Sequence, residues 1–149
     1  MPLLSHITLP VRQLAPAITF YDAVMAVLGA SRTQSSAHAS AYSQRAPERP
    51  FLWITPNDAR PGAVSTRASL QASNREQVIQ FHQTAIEAGA TSIQKPIAMP
   101  QYGGSAFGCV IHDLDGHQIE LVAYDESAKP AERPLNDWPD GEAPDYPDY

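Results

Sequence analysis

Two stretches of the chain follow the same order of residue types at an offset of about 60 residues. From His6 to Phe20 is 14 positions, and from Arg67 to Phe81 is also 14. Leu28-Gly29-Ala30 recurs as Ala88-Gly89-Ala90, one residue out of step with that pairing. FYDAVMAVLGA and FHQTAIEAGA are the same kind of segment. The unit is too long for a solenoid repeat, so two copies fit a duplicated domain with one shared core.

Each copy opens with a strand and a helix. Residues 4–11 alternate, with His6, Thr8 and Pro10 on one face and Ile7, Leu9 and Val11 on the other, which is a strand pattern. Residues 16–28 change to helical spacing, with Ile18, Tyr21, Met25 and Leu28 in one stripe. Pro16 suits a first turn and Gly29 a C-terminal cap. A polar region over 31–49 offers strand candidates around Ala37–Tyr42, Phe51–Ile54 is a short apolar strand, and 56–62 is a linker. In the second copy 66–72 alternates as a strand. Ser73 or Asn74 can cap a helix that starts at Arg75, carries Val78, Phe81, Ala85 and Ile86, and stops at Gly89. Residues 93–97, 106–111 and 119–124 read as strands, the last two joined by the hairpin turn Asp113-Leu114-Asp115-Gly116. His112 and His117 flank that turn and could pair across it. The expected architecture is α+β: tandem βαβββ modules over 1–62 and 63–124, then an acidic, proline-rich tail over 125–149.

The net charge of -6 is carried by that tail, whose eight acids outnumber its two bases by six, while residues 1–124 balance to zero. No basic stripe is present for nucleic acid and no basic amphipathic helix for a membrane surface. No apolar run approaches the ~20 residues of a spanning helix, and no signal-peptide pattern opens the sequence, so a cytoplasmic protein is expected. The single cysteine, Cys109, sits among Ala106, Phe107, Val110 and Ile111 and reads as a small buried hydrophobe. The tail's Trp138, Tyr146 and Tyr149 leave open whether it is solvated or docked.

SHITLPV, AITFYDAVMAVLGA, REQVIQFHQTAIEAGA, PQYGG and HDLDGHQIELVAY, in that order and spacing, resemble the vicinal-oxygen-chelate superfamily of glyoxalases, bleomycin-resistance proteins and extradiol dioxygenases. The resemblance implies that the two modules curl into a half-open, eight-stranded, barrel-like sheet around a site, and that the protein is a homodimer. It also implies a divalent ion (Zn, Ni, Mn or Fe) that binds adjacent substrate oxygens. Active members hold that ion with a His on the first strand and a Glu on the last strand of each half. Carried over one at a time, the first position is His6 and the fourth Glu120, both matches. The second is Trp53 and the third Arg67, both departures. A tight site takes three or four protein ligands, so the metal site is incomplete: either no ion is held, or His6 and Glu120 hold one completed by water. Arg67 cannot be a ligand; it either pairs with Glu120 or faces the cavity to grip an anion. Trp53, Tyr102 in its Gly-flanked loop, and Tyr21 are the other ligand-binding candidates, with helix–sheet core the favoured reading of Tyr21. His6 or Glu120 would move a proton in catalysis. The implied activity is a lyase, isomerase or dioxygenase acting on a small oxygenated metabolite; the alternative is non-catalytic sequestration of a small molecule.

Overall fold

The computed structural model describes residues 3–45, 48–56 and 65–124. The linker over 56–62, save Pro56, and the tail over 125–149 lie outside these residues. The first module runs β1 (Ile7–Val11), α1 (Leu14–Val27), β2 (Ser31–Ser35), β3 (Ser40–Ser43) and β4 (Leu52–Pro56). The second runs β5 (Arg67–Ala72), α2 (Arg75–Glu87), β6 (Thr91–Ala98), β7 (Phe107–His112) and β8 (Gln118–Ala123), with one 3-10 turn at Pro100–Tyr102. The architecture is α+β, two tandem βαβββ modules, as expected. The eight strands divide between two open four-stranded sheets of identical topology, β1-β4-β3-β2 and β5-β8-β7-β6. In each, the first strand pairs parallel with the last, and the other pairings are antiparallel.

Local chemistry explains the helices. Both stop at a glycine in the left-handed region, Gly29 at φ 73° and Gly89 at φ 106°, the conformation in which a Cβ is penalised. The Asn74 side chain caps α2 by accepting the Gln77 N–H at 2.9 Å. Phe20, Val24 and Met25 of α1 and Val78, Phe81 and Ala85 of α2 fall in one buried cluster with Leu9, Ile54, Ile111 and Leu121 from both sheets. Neither module closes a core alone. No helix among the described residues is long and apolar enough to cross a membrane.

The polar region after α1 is a hairpin. β2 occupies Ser31–Ser35, ahead of the strand candidates at Ala37–Tyr42, which overlap β3, and turns at Ser36–Ala39, where the Ser36 N–H donates to the Ala39 carbonyl at 2.8 Å. β2 is an edge strand exposed at every position, so no period-2 pattern marks it.

The hairpin turn between β7 and β8 clamps the modules together. Asp113, 6 % exposed, accepts the backbone N–H groups of Asp115 and His117 on Oδ1 at 2.9 and 2.8 Å. Its Oδ2 accepts the Tyr21 hydroxyl of α1 at 2.5 Å. Arg12, just past β1, pairs with Asp115 at 3.1 Å. Burial, and then the Asp113 carboxylate, hold the Tyr21 phenol well above its ordinary value near 10. A folded-state pKa above the unfolded one contributes stability below the unfolded value and loses it as pH rises toward the folded one. The denaturant midpoint is therefore expected to fall above about pH 10, and Tyr21→Phe to fall less steeply over that range. Parallel curves for the two proteins would refute the assignment.

Candidate functional site

The outer face of the second sheet carries the candidate site. On β5, Arg67 and Ser69 alternate outward while Leu70 and Ala72 pack toward the core. On β8 the parallel register sets Ser69 opposite Glu120 and Arg67 opposite Gln118. The loop Met99–Ala106 folds over the upper part of the same face, where Met99, Ala106, Val110 and Val122 form a small cluster of their own. Together they shape a half-open cavity of about 430 Å³, lined by Arg67, Ser69, Gln94, Tyr102, Gln118 and Glu120 among others.

Glu120 is held at both oxygens. Ser69 Oγ donates to Oε1 at 2.9 Å and the Tyr102 hydroxyl to Oε2 at 3.3 Å. Arg67 is exposed, and among the described residues no carboxylate lies within 4.0 Å of its guanidinium. The bidentate Arg67–Glu120 pair is not formed, because the register places Ser69, not Arg67, directly across from Glu120. One cation and one carboxylate thus line one cavity without a direct ion pair between them.

The other candidates stand elsewhere. His6, the residue just before β1, and Trp53 on β4 stand at the first sheet, where their rings meet edge-on at 6.4 Å. His6 is exposed, and its Nδ1 lies 3.0 Å from Ser5 Oγ. Neither lines the cavity that holds Glu120. Tyr21 is 2 % exposed and belongs to the core. His117 does not pair with His112; its ring turns inward, and the cross-strand partner of His112 is Gln118. Cys109 is buried beneath the site, and burial, with the charge of Glu120 second, pushes its thiol up to about 12. Burial, then Lys95, lowers His82, which meets Ser92 Oγ at 2.7 Å. Ser69, Gln94 and Gln118 were missed by sequence reasoning; Ser69 was discoverable, since it lies two residues beyond Arg67 on the same face of an alternating strand.

The donor set bears on the expected metal. Among the described residues no three His, Cys, Asp or Glu side chains cluster. His6 precedes β1 of the first sheet while Glu120 is on β8 of the second, and a permanently cationic Arg67 shares the cavity of Glu120. The donors among the described residues do not fit a divalent ion.

A duplicated βαβββ domain with a charged, half-open cavity on a sheet face has the build of a small-molecule site. The Glyoxalase/Bleomycin resistance protein/Dioxygenase superfamily model matches residues 3–121, and the chain belongs to that superfamily. Among curated proteins none is significantly similar. Solved structures are. A glyoxalase/bleomycin resistance protein from Albidiferax ferrireducens T118 is 23% identical, with 83% of this chain and 100% of that one covered and a TM-score of 0.67. A glyoxalase/bleomycin resistance protein/dioxygenase family enzyme from Burkholderia phytofirmans PsJN is 16% identical, with 82% and 98% covered and a TM-score of 0.64. The E126Q mutant of the fosfomycin resistance protein FosX from Listeria monocytogenes, complexed with Mn(II) and 1S,2S-dihydroxypropylphosphonic acid, is 20% identical, with 85% and 94% covered and a TM-score of 0.62. At these identities the likeness is one of fold.

Proposed function

We propose that the chain binds and acts on a small, oxygenated, anionic metabolite in the cavity of the second sheet. The observation that carries this reading is that Arg67 and Glu120 line the same cavity without an ion pair between them. A carboxylate or phosphonate would take the guanidinium fork. Glu120, oriented by Ser69 and Tyr102, would accept a proton from a neighbouring hydroxyl or acidic carbon. Arg67 would then stabilise the negative charge that develops on oxygen. A fold of this kind holds a dihydroxylated phosphonate in FosX, which supports the ligand class. A homodimer is part of the proposal: the cavity is half open and Ile97 at its rim is 48 % exposed, and a second copy would bring its own His6 and Trp53 face to bear.

The test is a thermal-shift panel of small hydroxycarboxylates and hydroxyphosphonates, followed by turnover assays on those that bind. At least one should raise the melting temperature. Arg67→Gln should weaken it by roughly 10- to 100-fold, the loss of one charge-assisted contact. Glu120→Gln should abolish turnover while binding survives. A panel with no binder, or one whose binders are indifferent to Arg67→Gln, would sink the reading. Binders that are never turned over would point to sequestration.

A further inference from the structure

His117 is only 2 % exposed, and each of its hydrogen-bonding atoms is engaged. Its backbone N–H donates to Asp113 Oδ1 at 2.8 Å. Its ring Nδ1 accepts the Thr66 N–H at 2.8 Å, and its Nε2 faces the Pro10 carbonyl. An amide N–H only donates and a carbonyl only accepts, so the ring is neutral with its proton on Nε2. These contacts join three pieces: the end of β1 in the first module, the β7–β8 turn, and the residue that leads into β5. Thr66 also accepts the Gln118 N–H at 2.9 Å. The next residue is Arg67, whose cross-strand partner is Gln118.

We propose that His117 is a positioning residue that works as a proton-operated latch: its neutral imidazole holds Thr66, and through it Arg67, at the rim of the cavity, and a second proton releases them. That proton has only Nδ1 to occupy, where it would meet the Thr66 N–H, donor against donor. The charged groups around the ring offer it no acceptor in exchange. Asp113 is occupied by two backbone N–H groups and the Tyr21 hydroxyl. Asp115 is taken up by Arg12 from the end of β1. Arg67 on β5 is a cation, and the backbone of His112 on β7 is in register with Gln118 rather than with His117. On acidification the start of β5 loosens and Arg67 loses its fixed place. The latch does not depend on what the cavity binds; its consequence for binding rests on the function proposed above.

The experiment uses the full chain with no ligand. Amide-exchange protection at Thr66 is followed by NMR as the pH is lowered from about 8 to about 5, in the wild type and in His117→Gln. A glutamine amide can offer an oxygen to Thr66 and an N–H to Pro10 without titrating. The wild-type protection factor at Thr66 should fall about tenfold or more while Gln77, capped by Asn74, holds steady, and His117→Gln should stay flat. Unchanged wild-type protection, or the same fall in His117→Gln, overturns the latch. Where His117→Gln does not fold, the ring nitrogen shifts of the wild type decide. Nε2–H at neutral pH, with Nδ1 titrating together with the loss at Thr66, supports the latch; Nδ1–H at neutral pH overturns it. Failure here leaves the cavity reading standing, and an empty ligand panel leaves the latch standing.

Discussion

Asp113→Ala is expected to remove about 4 kcal/mol of stability and to lower the melting temperature by roughly 8–16 °C. The carboxylate is buried and serves three donors: the N–H groups of Asp115 and His117 and the Tyr21 hydroxyl. Alanine leaves all three unpaired in the interior, and an unsatisfied buried donor costs ~1–3 kcal/mol. The losses do not simply add, since entering water recovers part of them. The variant also removes the hold on the turn that carries Asp115, the partner of Arg12, so both links from the first module to the turn weaken together. A cycle with Tyr21→Phe isolates one of them: the double variant should be less destabilised than the sum of the singles by about 1–2 kcal/mol. Additive effects would mean that the hydroxyl and the carboxylate do not act as a unit. Denaturant titration of the four proteins measures it.

That clamp bears on what was legible in the sequence. The duplication, both helices, the Asn74 cap and the positive φ of Gly116 at 82° are local matters, and local pattern reaches them. Asp113-Leu114-Asp115-Gly116 was readable as a turn, yet its role was not. Asp113 works through Tyr21, 92 positions away, and His117 through Pro10, 107 positions away, and such pairings follow only from how the modules dock. The same limit governs the site. Alternation puts Arg67 and Glu120 on the outer face of one sheet, but whether they pair depends on register, and a shift along a strand exchanges one neighbour for another. Register here gives Glu120 to Ser69 and leaves the Arg67 guanidinium to the cavity. His6 and Glu120 fit one ligand motif by position, and the folded chain sets His6 just ahead of the first sheet and Glu120 on the second. The β2–β3 hairpin was obscured for a simpler reason: an exposed edge strand of serines, arginine, threonine and glutamine carries no apolar signal.

Gly108→Ala should be the most damaging one-carbon change near the site. A Cβ there would lie 2.5 Å from the Leu121 backbone carbonyl oxygen and 2.8 Å from Met99 Sδ. Met99 is a flexible side chain and can move; the carbonyl belongs to β8, which Gly108 faces across the β7–β8 ladder, and it cannot move without opening that ladder. Overpacking of this kind costs about 3 kcal/mol, or roughly 6–12 °C in melting temperature. The functional effect follows from the same contact. Met99 begins the loop that ends at Ala106, held by its N–H to the Ala106 carbonyl at 2.8 Å, and that loop carries Tyr102 to Glu120. Pushing Met99 outward should therefore loosen Tyr102 and weaken ligand binding further than the stability loss alone would. Gly104→Ala in the same loop is the control, because nothing lies within 4 Å of a Cβ built there; its stability should stay within about 0.5 kcal/mol of wild type. If Gly108→Ala melts like Gly104→Ala, the strands are free to part at this point. The face that presents Glu120 would then be far less rigid than a site for proton transfer requires.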